Sequence, residues 1–173
     1  LSLTQRICSS HPSRALSLSL DRNSGKGEAV RRGMLYLSEK GLYNVIGFWD
    51  ADLAVPLPEI WNFADVYRRN PNIQVVIGSR VHLAGRLVER VNIRHYVGRL
   101  FATIMSWTFG FKIYDTQCGA KLFDSKVLLN VLNEPFHSRW IFDVELIIRI
   151  SRLPFLKGNN NWLSKESWLY EMP

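Results

Sequence analysis

Apolar and polar positions along this chain alternate with two different periods, and the switches between them mark out its elements. Residues 1–14 form a polar, basic lead-in that reads as the end of a helix whose beginning is absent. From 15 to 20 Leu alternates with Ser, the period of two that a half-covered or edge strand presents. After the glycine-rich turn at 21–27, the spacing of Ala29, Val30, Gly33, Met34 and Leu37 predicts a helix over 28–40. Asn23 or Ser24 is placed to cap it and Gly41 to end it. The uncharged run at 45–49 predicts a strand covered on both faces. Pro58 and Glu59 then open a helix with Ile60, Phe63, Ala64 and Tyr67 turned inward, Asn70-Pro71-Asn72 breaks it, and 74–78 is a further strand.

Strand, helix, strand, helix, strand implies an α/β domain with a parallel sheet and right-handed crossovers. From Ser79 the pattern changes to a loop reaching about 85 and a long helical stretch to about 107. A strand-and-loop block at 113–123 follows, then short helices near 125–132 and 142–152, a turn at 158–161 and a strand-like run from 168. The chain carries no internal repeat and no low-complexity segment.

Composition narrows the class. With 173 residues and 47% hydrophobic content the chain supports one domain with a sizeable core. The formal charge of +7 favours an anionic partner, whether a phosphorylated substrate, a membrane surface or nucleic acid. Cys8 and Cys118 are far apart, so neither a disulfide framework nor a metal-finger spacing is present, and a reducing compartment is expected. The longest uncharged apolar stretch, 100–111, falls well short of the roughly 20 residues a spanning helix requires.

Candidate chemistry gathers in five places. Asp50 and Asp52 close the strand at 45–49, and two carboxylates at the carboxyl end of a buried strand could hold a hard divalent cation or simply form a solvated turn. Asn23-Ser24-Gly25-Lys26-Gly27 lacks the Walker A pattern, yet its glycines, the following helix start and Lys26 suit a diphosphate as well as an ordinary strand-to-helix turn. Arg86, Arg90 and Arg94 share one helix face, near Arg80, His82, His95 and Arg99, an arrangement fitting anionic headgroups or a solvated face. Asp115 and Gln117 lie on a turn at a sheet end, where Asp115 serves as a general base or closes an Asx-turn. Asp143 and Glu145 stand in apolar surroundings that demand a partner, Arg139 or Lys121. No recognised nucleic-acid-binding motif accompanies the charge, so nucleic acid is not an expected partner.

Taken in order, N-S-G-K-G-E-A-V-R-R-G at 23–33, D-A-D at 50–52, G-S-R at 78–80, D-T-Q-C-G-A-K-L-F at 115–123 and R-W-I-F-D-V-E-L at 139–146 resemble the polyisoprenyl-phosphate branch of the family 2 glycosyltransferases. The similarity is greatest to the dolichyl-phosphate glucosyltransferase-like group. It implies a GT-A fold, a mostly parallel sheet flanked by helices and incomplete at its N-terminal side. One partial domain over 1–173 would divide into a donor and metal half at 15–78 and an acceptor half at 79–173.

The resemblance further implies Mg²⁺ or Mn²⁺, a nucleotide-sugar donor with UDP-glucose favoured, a polyprenyl or dolichyl phosphate acceptor, and inverting transfer at the cytoplasmic membrane surface. Carried over, Asp50 and Asp52 meet the metal, Asn23, Lys26 and Asp50 the donor, and Asp52, Asp115 and Gln117 the reacting sugar. Arg80, Arg86, Arg90 and Arg139 would hold the acceptor phosphate, with Trp140, Asp143 and Glu145 forming the site floor. Two features depart from the family pattern. Ala54 stands where phosphomannose synthases often carry a Gln, and the family's first strand with its P-x-Y-N-E base pocket lies outside these residues. Were 1–173 the whole polypeptide, weak or no turnover would follow; the alternative is a non-catalytic, anion- or membrane-binding remnant of such a domain.

Overall fold

The computed structural model describes residues 2–79, 113, 115–139, 141–156 and 168–172. Four strands, β1 (Val45–Trp49), β2 (Val75–Gly78), β3 (Ala120–Asp124) and β4 (Leu169–Met172), form one sheet in the order β1-β3-β2-β4. Three of them run in one direction. β3 opposes them, pairing antiparallel with both β1 and β2, so the only hydrogen-bonded parallel pair among the described strands is β2–β4. The strand-helix-strand rhythm correctly gives β1 and β2 a common direction. It does not reveal that a strand some 45 residues downstream of β2 inserts between them, because a ladder partner that distant leaves no trace in local periodicity.

Alternation along the strands distributes side chains to two cores. Ile46, Val75, Ile77, Phe123 and Leu169 face a layer formed by α2 (Lys26–Glu39), α4 (Ser125–Val131) and α5 (Phe142–Ser151), packing with Met34, Val127, Leu128, Leu146, Ile147 and Ile150. Val76, Ala120 and Leu122 face the opposite way onto Phe63, with Val66 and Tyr67 of α3 (Ile60–Arg69) packed alongside. The result is helices on both sides of a sheet, the arrangement that crossovers require. Gly47 admits the closest inter-strand approach, since a Cβ there would come within 2.1 Å of the Lys121 carbonyl oxygen. Tyr67 fastens α3 to the sheet, its hydroxyl lying 2.8 Å from the Gln74 carbonyl and 2.9 Å from that of Leu122. Burial raises the Tyr67 hydroxyl well above its ordinary pKa, keeping it a neutral donor.

Several boundaries differ from expectation for identifiable reasons. The lead-in holds a complete short helix, α1 (Leu3–Ser10), whose Ser2 and Gln5 form a capping box, so its start lies within the chain. Residues 15–20 make no ladder; Leu16 and Leu18 are exposed, and a period of two gives a strand only where another strand lies beside it. α2 begins at Lys26 with Gly25 as its cap at φ 84°. Neither Asn23 nor Ser24 caps it, because that left-handed residue turns the chain: the Asn23 Oδ1 accepts from the Gly25 N–H, and the Ser24 hydroxyl donates to the Arg22 carbonyl. Ala29 is exposed, while Arg31 and Ser38 take buried positions. In α3, Phe63 is buried but Ile60 and Ala64 face outward. Gly41 does stop α2, at φ 65°.

Candidate active site

The site is assembled where β1 ends. Charge cannot continue into the covered strand, so the chain turns at Asp50, and the Leu53 N–H closes that turn on the Asp50 carbonyl at 3.1 Å. Leu53 sits at φ 52°, a left-handed conformation that a bulky residue adopts only where its surroundings impose it. Trp49 supplies one such constraint: its indole N–H donates to the Val55 carbonyl at 2.7 Å, pinning the far side of the loop. Within it the Asp52 Oδ1 accepts from the Ala54 N–H at 3.1 Å, and Asp52 itself is exposed.

Asp50 is held from two sides. Its N–H donates to the Gly119 carbonyl at 2.7 Å, extending the β1–β3 pairing one residue beyond the ladder. Its Oδ2 accepts from Lys26 Nζ at 2.6 Å. Lys26 is the first residue of α2, so the bridge ties the start of that helix, whose opening N–H groups have no partner within the helix, to the end of β1. Glycines make this close approach feasible. A Cβ on Gly27 would meet the Phe142 side chain at 3.1 Å, and Gly25 lies against the aliphatic stem of Arg139.

Beneath this surface lies a second cation–carboxylate pair. Lys121, fully buried on β3, donates to Asp143 Oδ1 at 2.7 Å and to the Cys118 carbonyl, with its ammonium 5.2 Å from the centre of the Phe48 ring. Asp143 therefore takes Lys121 rather than Arg139 as its partner. Glu145 does not pair with Arg139 either: it accepts from Arg149 at 2.6 Å, the His137 N–H at 2.9 Å and the His137 ring at 2.8 Å. Burial pushes the Glu145 carboxyl up, but these hydrogen bonds outweigh it and hold the group below its ordinary range. Both acids named as the site floor are thus engaged in structural ion pairs.

Of the remaining candidates, Asp115 and Gln117 share one turn, where the Asp115 Oδ1 accepts from the Gln117 N–H at 3.2 Å; this is the Asx-turn. Gln117 is exposed on it. The turn is fastened to β4, whose Glu171 accepts the Asp115 N–H at 2.7 Å. Asn23 and Arg139 line an open cavity of about 1250 Å³ between residues 18–24, α2 and the segment at 135–139. That cavity is not lined by Lys26, Asp50 or Asp52, so the charged groups at the end of β1 lie apart from it. Arg80, Arg86, Arg90 and Trp140 lie outside the described residues, as does the rest of the basic stripe.

Two features of the site escape a reading of residue patterns, Gly119 against Asp50 and Glu171 at the Asp115 turn, whereas Lys121 is one of the two partners expected for Asp143 and is the one the structure selects. The signal for Lys121 is a lone charge two residues before Phe123 in an otherwise apolar segment. The arrangement sets the lysine that opens α2 against one carboxylate, Asp50, with a second, Asp52, exposed two residues on in the same loop. No cluster of three or more His, Cys, Asp or Glu suited to a metal occurs among the described residues. Two carboxylates nevertheless fit a Mg²⁺-like ion that takes its remaining ligands from substrate phosphate and water, and Lys26 engages only one of the Asp50 oxygens.

A solved structure with this architecture is glucosyl-3-phosphoglycerate synthase from Mycobacterium tuberculosis in complex with phosphoglyceric acid; the two share a TM-score of 0.59 at 17% identity, over 99% of this chain and 54% of that one. The fold is accordingly that of a GT-A glycosyltransferase. No family model matches the chain. Among curated proteins, the dolichyl-phosphate β-glucosyltransferase of Saccharomyces cerevisiae is 33% identical over 143 residues, 76% of this chain and 41% of its own length. Those of Drosophila melanogaster and Homo sapiens are 33% and 30% identical, over 75% and 86% of this chain and 40% and 47% of their own lengths. The chain belongs to the dolichyl-phosphate β-glucosyltransferase family. It spans rather less than half the length of these relatives.

Proposed function

We propose that this chain carries the metal and diphosphate side of a glycosyltransferase that moves glucose from a nucleotide-diphosphate donor, UDP-glucose by preference, to dolichyl or another polyprenyl phosphate. The observation that carries the reading is the Lys26–Asp50 bridge, which ties the start of α2 to the first of the two carboxylates that follow β1. Family membership supplies the sugar and the acceptor.

In this reading an acceptor phosphate oxygen forms a bond to the anomeric carbon as the bond from that carbon to the donor diphosphate breaks. Displacement from the opposite face inverts the configuration. The acceptor oxygen is already ionised, so no proton has to be removed, and the demand on the protein is alignment and neutralisation of the departing diphosphate. The helix start and Lys26 meet the diphosphate. Asp50 and Asp52 would hold Mg²⁺ or Mn²⁺, which when bound offsets the charge of the leaving group. Asp115 and Gln117 orient sugar hydroxyls from the exposed turn, and Asp115 is not required as a base. Arg80, Arg86, Arg90 and Arg139 serve the acceptor phosphate, at a membrane surface where a polyprenyl chain resides.

Calorimetric titration of the full-length protein with UDP, GDP and UDP-glucose tests this. Binding is expected to be strengthened by Mn²⁺, with UDP preferred over GDP, and Asp52→Ala should remove the metal-dependent part. Nucleotide affinity indifferent to Mn²⁺, or unaltered in Asp52→Ala, would sink the proposal.

A further inference from the structure

Gly119 is a glycine for reasons of space. Its φ lies outside the left-handed region, where among the described glycines only Gly25 and Gly41 are found, so the backbone conformation there would accept any residue. The space beside it would not. A Cβ on Gly119 would stand 2.2 Å from both Cγ and Oδ2 of Asp50 and 2.6 Å from the Asp50 Cβ, far inside van der Waals contact. The Asp50 carboxylate therefore lies directly across the bare α-carbon of Gly119, and Oδ2, the oxygen that Lys26 engages, is among the atoms a side chain would displace.

The glycine is itself held in place. Asp50 and Gly119 stand opposite one another one step past the last ladder pair, Trp49 with Ala120, joined by the 2.7 Å bond from the Asp50 N–H. Lys121, two residues on, is opposite Phe48, so both pairs belong to one sheet face. Its buried ammonium grips the Cys118 carbonyl, the peptide immediately before Gly119, and is anchored in turn by Asp143. Removing either partner of such a buried ion pair is strongly destabilising, which keeps that peptide in place.

We propose that Gly119 is a positioning residue of the donor site: by lacking a side chain, it sets the Asp50 carboxylate against Lys26 and toward the donor. The inference rests on the proposed function only for the consequence in binding, since the Lys26–Asp50 contact can be followed without any ligand.

Two readouts on the full-length protein test it. A carbodiimide joins an amine to a carboxylate in contact with loss of water, so the native protein should yield a Lys26–Asp50 cross-link detectable by peptide mass spectrometry, and Gly119→Ala should lose most of it. In parallel, Gly119→Ala should weaken Mn²⁺-dependent UDP affinity by about 10- to 100-fold, the range typical of residues that support metal ligands. Asp50→Gly removes the three atoms nearest the added methyl, so Gly119→Ala should cost little further in that background. Should Gly119→Ala alone fail to fold, refolding of the Asp50→Gly/Gly119→Ala double variant supports the inference, and failure of both overturns it. An undiminished cross-link in Gly119→Ala, or an equal loss of UDP affinity with Asp50 absent, would also overturn it. If the cross-link is lost as expected but the native protein binds no UDP with Mn²⁺, the proposed function has failed and the positioning role stands.

Discussion

Glu28 shows how one carboxylate can organise a helix start without belonging to the chemistry. It accepts from Arg31 through both oxygens at 2.7 Å and from Arg32 at 2.8 Å, and the Arg31 guanidinium, 4% exposed, passes on to the Leu132 carbonyl beyond α4. The Arg31 hydrogen bonds hold its pKa down from 4.5 to about 2, with burial opposing and Arg32 assisting. Between those two values the native state binds fewer protons than the unfolded chain. The stabilisation is therefore complete above pH 4.5 and is lost as pH falls through about 2. Glu28→Gln should cost on the order of 2 kcal/mol at neutral pH, since it also strands a buried guanidinium. Urea unfolding of both proteins on a descending pH series should show that gap closing toward pH 2; a constant gap would refute the assignment. At this scale the sequence was informative about identity and poor about partners. Asp50 and Asp52 could be read as the end of a buried strand because charge has nowhere else to go. Lys121 was one of two partners expected for Asp143, and the choice between them depends on which strand lies under which helix; Arg149, four residues on from Glu145 in the same helix, was the partner not anticipated.

At the scale of elements, the covered β1 and the helices from 26, 60, 125 and 142 were legible because each carries its own periodicity and its own stop. The antiparallel insertion of β3 and the ladderless stretch at 15–20 were not, because pairing is a property of two segments rather than one. β3 is the element on which the others depend, flanked by β1 and β2 and tied to α5 through Lys121 and Asp143. Lys121 is fully buried, so Lys121→Met would leave Asp143 without its cation in an apolar setting, at a cost of about 3–5 kcal/mol. Replacing both, as Lys121→Met with Asp143→Leu, should recover much of that loss. Thermal unfolding of the two variants decides the matter, and a double variant no more stable than the single would show that the charges themselves hold the β3–α5 junction. The same pair should matter less for substrate affinity than for stability unless it acts through the turn that carries Gly119.

For the molecule as a whole, charge is the feature that periodicity and packing leave unexplained. The ion pairs at Lys26, Arg31, Lys121 and Arg149 cancel charge for charge, and Arg68 and Arg69 share Asp65, so the pairs leave the formal charge of +7 unaccounted for. The sequence concentrates further positive charge at Arg86, Arg90 and Arg94, outside the described residues. No helix among the described residues is long and apolar enough to cross a membrane. Each basic residue close to an anionic leaflet contributes about 1 kcal/mol, which makes three arginines worth about 3 kcal/mol, or roughly two orders of magnitude in partitioning. The attraction decays over a Debye length of about 8 Å at physiological ionic strength. The full-length protein is therefore expected to co-sediment with vesicles containing phosphatidylserine at low salt and to be released as salt rises. The Arg86/Arg90/Arg94→Ala variant should lose most of that salt-sensitive component while retaining its fold by circular dichroism. Binding to phosphatidylcholine vesicles of equal strength, or salt-sensitive binding undiminished in the triple variant, would separate the basic stripe from the membrane. Tight retention of DNA or RNA at physiological salt would assign the excess charge to nucleic acid instead.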